Sequence, residues 1–142
     1  MRLKKLELKY VLGVLMSVLI ILTMTLTVKA SNDNYSFSFS LKPHYANAYS
    51  GDRYRQTTNV NNKWKVNLQK SAEGSNSKAT FWLSQANHKQ ASGTHQVQCG
   101  SGAHYYVAWS NASSRDVCLS AENNNDSANS YKISGKWDEE TN

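Results

Sequence analysis

Four histidines, two cysteines and nine acidic residues lie beyond residue 30, and they are the groups whose chemistry could do work. His95 and His104 sit in an internal echo, Ser92-Gly93-Thr94-His95 and Ser101-Gly102-Ala103-His104. Two imidazoles in such an echo could share a metal ion. A hairpin through this stretch sends them to opposite faces, so the echo reads as two glycine turns entering strands. His44 and His88 complete no His-Glu-x-x-His motif and no helical pair. No metal and no cofactor is expected. Nucleophilic catalysis has equally little to stand on. Gly-x-Ser-x-Gly is missing, and a Cys99–His104 dyad would need a reduced, activated thiolate. Glycoside hydrolysis needs two converging carboxylates. Asp52, Glu73, Asp116, Glu122 and Asp126 fall mostly in turn-like sequence and read as turn residues. A small hydrolase is the least favoured reading, and no catalytic residue is assigned.

Binding has better candidates. Trp82 alternates with Phe81 and Leu83 and is expected to face outward; Tyr106 is expected outward by the same logic. Exposed rings on a flat sheet stack on sugars or enter a membrane interface. Lys63, Lys65, Trp82 and Tyr106 form the expected binding set. Cys99 and Cys118 read first as a disulfide, because an even pair in an exported chain is normally bridged. Alternation raises a difficulty: Cys99 aligns with inward Val97, whereas Cys118 falls between inward Val117 and Leu119. A bulge or a strand end would be needed to bring the sulfurs together.

The elements that must position these groups are strands. Tyr35, Phe37, Phe39 and Leu41 alternate with Ser36, Ser38, Ser40 and Lys42. Trp64, Val66 and Leu68 alternate with Lys63, Lys65, Asn67 and Gln69. This period of two marks strands with one wet face. Residues 79–84, 94–99, 103–109, 117–121 and 131–137 read as further strands. Residues 94–99 and 103–109 look like a hairpin about Gly100-Ser101-Gly102, with Val97 opposite Tyr105 and Gly102 left-handed. Residues 45–49 extend a strand, Gly51-Asp52 turns it, and 53–56 pair back. Residues 138–142 read as a charged, solvated tail. Six to seven short strands predict a small antiparallel β-sandwich.

Composition agrees with one domain outside the cell. Arg2, Lys4, Lys5 and Lys9 precede an uncharged apolar run at 10–26, and Val28-Lys29-Ala30 follows. That order is a secretory signal peptide spanning 1–30, cleaved after Ala30. The alternative is a retained anchor at 10–26, at the short end of a membrane span. Membrane contact is otherwise not expected. The whole chain carries +6, but residues 31–142 hold 11 basic and 9 acidic side chains. A net of +2 gives no charge argument for nucleic-acid binding. Residues 42–89 alone carry +6 and residues 90–142 carry −3. Solvated strand faces account for this split; a basic face that meets an anionic wall polymer is the sharper account. Leu, Ile, Val and Phe supply only 13 of residues 31–142, while Trp and Tyr supply 11. The single domain, 31–142, therefore needs an aromatic-rich core.

Four segments carry a resemblance: 37–49 (FSFSLKPHYANAY), 101–106 (SGAHYY), 121–125 (AENNN) and 137–142 (WDEETN). On these the chain resembles a group of short exported proteins of unknown function from spore-forming Gram-positive bacteria. The resemblance implies an exported domain and carries over no catalytic residue. A looser likeness, in size, aromatic content and Gly-turn hairpins, is to lactococcin-type bacteriocins and concerns fold alone. The expectation is a secreted, non-enzymatic protein acting at bacterial cell surfaces, bacteriocin-like in its sharpest form. A structural or adhesive envelope protein is the main alternative.

Overall fold

In the computed structural model, which describes residues 32–141, alternation becomes two packed antiparallel sheets. The leader at 1–30, its cleavage site and the alternative anchor at 10–26 lie outside the described residues. Nine strands follow in order: β1 Tyr35–Leu41, β2 Ala48–Tyr49, β3 Arg53–Arg55, β4 Trp64–Ser71, β5 Lys78–Gln85, β6 His95–Gln98, β7 His104–Tyr106, β8 Arg115–Asn123 and β9 Tyr131–Asp138. Sheet I has the order β1-β9-β4-β7. Sheet II has the order β2-β8-β5-β6, with β3 also on β8. The fold is a small all-β sandwich.

The inward halves of the alternating strands make the core. Phe37, Phe39, Leu41, Trp64, Val66 and Leu68 of sheet I meet Phe81, Leu83, Val97, Val117 and Leu119 of sheet II. Phe37 stacks on Phe39 at 5.2 Å and meets Phe81 edge-on at 5.6 Å, joining the two sheets. Trp64 and Trp137 are almost wholly buried. Truncating rings of this size costs about 3–5 kcal/mol each, which is how a chain short of aliphatics holds a core.

The hairpin expected about Gly100-Ser101-Gly102 does not form. β6 pairs with β5, Val97 opposite Ala79, and β7 pairs with β4, Tyr106 opposite Trp64. The intervening loop crosses from one sheet to the other, held by Cys99 N–H to the Ser77 carbonyl and Gly100 N–H to the Leu68 carbonyl, each 2.9 Å. Gly102 does take a left-handed φ, +89°. The crossing shifts the phase of β7 by one residue, so Tyr106 points inward and Tyr105 outward. Rings from the two sheets then meet: His95 stacks on Tyr106 at 3.7 Å and 4°. The 45–62 region also differs. β2 and β3 do not pair back on each other; they lie successively along β8.

The charged tail is buried. Asp138, Glu139, Glu140 and Thr141 are all inside the protein. Glu140 accepts the Gln56 and Thr57 N–H groups at 3.1 and 2.8 Å. Arg55, itself 1% exposed, donates to the carbonyls of Glu139 and Asn62. Thr141 N–H and Oγ1–H both donate to the Lys63 carbonyl at 2.8 Å. Buried charge is costly unless paired or hydrogen-bonded; the backbone of 56–57 supplies Glu140 with partners, whereas Glu139 Oε2 is buried without a hydrogen-bond partner. Burial, reinforced by Asp138 and Glu140 and opposed by the Glu139 backbone N–H and by Arg53, pushes the Glu139 carboxyl up to about 7.

The expected disulfide is absent. Cys99 and Cys118 are both free and buried. Alternation separates them: Cys99 belongs to the core between the sheets, whereas Cys118 pairs with Ser84 on the opposite side of sheet II. Burial, with Asp52 adding to it, pushes the Cys118 thiol up to about 11.

Candidate functional site

The outer side of sheet I is built from residues the core rejects. Register aligns them in rows: Ser36, Lys136 and Asn67; then Ser38, Ser134 and Lys70; then Ser40 and Lys132. Lys70 reaches this side through a bulge, because the β4–β9 register shifts between Leu68 and Lys70. The extra residue, Gln69, moves the phase by one and puts Lys70 across from Ser134. Gly135 permits it. A β-carbon there would stand 1.9 Å from the Asn67 carbonyl oxygen and 2.9 Å from the Phe37 ring. Lys132 and Lys136, four residues apart on β9, are about 13 Å apart along the strand. Lys70 is diagonal to both, at roughly 7–8 Å. None of the three makes an ion pair among the described residues. Lys136 donates to Ser36 Oγ at 2.8 Å.

Beyond the row of Ser36, Lys136 and Asn67 this side closes. Lys65 is buried, 3.6 Å from Asp138 and donating to Asn32 Oδ1 at 3.0 Å. Asn34 N–H donates to Asp138 from above. Burial pushes the Asp138 carboxyl up, against the backbone N–H donors and Lys65.

The β7 end of sheet I carries the second feature. Along β7 and its continuation, Tyr106 and Ala108 turn inward while Tyr105, Val107 and Trp109 are 50, 46 and 47% exposed. Strand geometry spaces Tyr105 and Trp109 by about 13 Å. The segment is fixed by pairing to β4 and by Trp109 N–H to the Ala91 carbonyl, 2.8 Å. Exposed Lys63 precedes Trp64, the partner of Tyr106, and so borders this row.

The four residues expected to bind do not share a surface. Lys63 is exposed and Lys65 is consumed by Asp138. Trp82 does point away from the core, as alternation requires, but is only 6% exposed. Its indole N–H donates to Ser84 Oγ at 3.0 Å, and Ser120 donates to the same oxygen at 2.7 Å. Tyr106 is half-buried between His95 and Trp64. Burial lowers the His95 pKa and raises that of Tyr106. His104 bonds Ser101 Oγ at 2.8 Å, and His44 pairs with Asp126 at 2.7 Å on the surface. Among the described residues no group of three or more His, Cys, Asp or Glu is placed to hold a metal ion. A cavity of about 270 Å³ is lined by Gln85, Ala86, Asn87, Arg115 and Asp116. It offers one carboxylate where paired-acid hydrolysis needs two.

Sequence reasoning missed Tyr105, Val107 and Trp109 through the one-residue phase error on β7. It passed over Lys132 and Lys136, although their alternation with Tyr131 and Ile133 marks them as outward.

Comparison with the curated proteins and with the solved structures finds no match. A family profile does match, over residues 24–141. That span takes in the whole sandwich, and by it the chain belongs to the family described as a protein of unknown function (DUF2712).

Proposed function

We propose that this is an exported, non-catalytic binding protein that acts at bacterial cell surfaces, with Tyr105, Val107, Trp109 and Lys63 as its contact edge. The observation that carries the reading is the row of three large apolar side chains, alternately placed and about half exposed, on a backbone pinned at both ends. Rings held this way offer flat faces to sugars at low entropic cost. The basic, apolar and small-residue order of residues 1–30 supports export, and the surface rich in Ser and Asn suits life outside the cell. An envelope glycan or anionic wall polymer is the partner this edge fits.

The test incubates purified protein with intact Gram-positive cells and with isolated walls, scoring bound protein and viability together. Retention on walls, reduced about tenfold or more in Tyr105→Ala/Trp109→Ala, supports the reading. Equal retention of that variant would refute the assigned edge. Loss of viability would establish the stronger, bacteriocin-like form; binding without killing would establish the adhesive or envelope form.

A further inference from the structure

We propose that Lys70, Lys132 and Lys136 form a separate site for a linear phosphate polymer on the outer side of sheet I. The site stands on observations independent of the aromatic edge, and it survives if that edge proves silent. Three ammonium groups are gathered from two strands that meet only in the folded protein. No carboxylate of the described residues pairs with any of them. Like charges gathered on one side of a sheet repel one another. The bulge at Gln69 and the tight Gly135 contact are what bring Lys70 into the group.

The geometry selects the ligand class. The outer lysines stand about 13 Å apart along β9, so a small anion would have to draw both long side chains together. An extended chain with repeated charges would not. Ammonium groups bind phosphate as point charges, and Ser36, Ser38, Ser40 and Ser134 add hydroxyl donors between them. Exposed Lys42, two residues past Ser40, prolongs the row. Duplex nucleic acid fits less well, because the described face holds few cations and its arginines are elsewhere: Arg55 is buried and Arg53 lies 3.3 Å over the Tyr35 ring.

The experiment measures binding of linear inorganic polyphosphate to the purified protein by calorimetry across a salt series. Orthophosphate, polyglutamate and duplex DNA are run as competitors. The expected result is binding whose log K falls with log salt at a slope of about −2, three contacts at about 0.7 each. Lys70→Gln/Lys132→Gln/Lys136→Gln should lose at least tenfold in affinity while its melting temperature is unchanged or higher. Tyr105→Ala/Trp109→Ala should bind polyphosphate normally, which separates this site from the edge above. No binding at low salt, equal binding by the triple variant, or equal competition by orthophosphate, polyglutamate or DNA would each overturn the proposal.

Discussion

Lys65 and Lys70 lie on the same strand and on the same side of the same sheet, yet the protein treats them oppositely. Lys65 is sealed under residues 32–34 and bonded to Asp138 and Asn32. Lys70 is exposed beside two other lysines, with no counter-ion among the described residues. The closed end continues into the buried tail, where Arg55 and Glu140 find partners within the fold. The open face leaves the same residue types unpaired. Charge that is spent internally sets structure, and charge left unspent on an ordered surface is available to a ligand.

The largest effect should come from breaking the closed end. Glu140→Ala strands two backbone N–H groups and leaves Arg55 near an emptied site. We expect a loss of about 3–5 kcal/mol in urea unfolding. A loss below 1 kcal/mol would mean that the tail only decorates the sandwich. Lys65→Ala, which leaves Asp138 buried without its cation, should cost about 3 kcal/mol, whereas Lys70→Ala should stay within about 0.5 kcal/mol. Equal costs for the two would erase the contrast between them.

A smaller effect follows from pH. Glu139 has a folded pKa of about 7, above its ordinary value of 4.5. The folded state therefore holds the extra proton between those values. Its contribution to stability is complete below about pH 4.5 and is lost as pH rises through 7. Arg53, Asp138 and Glu140 face it, and the upward shift at Asp138 acts in the same direction. The melting temperature should drop by about 10 °C between pH 5 and pH 8, and Glu139→Gln should flatten the profile. A profile that rises over that range would contradict the assignment. Least disruptive is the thiol test. Both cysteines should resist a thiol reagent in the native protein and both should react in denaturant without reductant. Finding none there would restore the disulfide.

How much of this was legible in the sequence depended on whether the deciding partner was local. β1 and the first half of β4 were readable because Phe37, Phe39, Trp64 and Val66 alternate without a break. A β6–β7 hairpin is what two neighbouring strands suggest when only they are compared. The real partners, β5 and β4, lie outside that stretch, and each offered an unpaired edge. The tail was misread because three successive acids look solvated until Arg55 and the 56–57 N–H groups are seen beside them. At the candidate site, Lys132 and Lys136 could be placed outward by alternation. That Lys70 joins them depends on the bulge at Gln69, and no local pattern announces it.

The contrast between Lys65 and Lys70 rests on the proposed phosphate site on the outer side of sheet I. It is tested most directly by ¹⁵N–¹H NMR titration of the protein with linear polyphosphate. The account predicts shift changes centred on Lys70, Lys132, Ser134 and Lys136, with Gln56, Thr57 and Glu140 unmoved. Changes confined to sheet II, or spread evenly over both sheets, would contradict it.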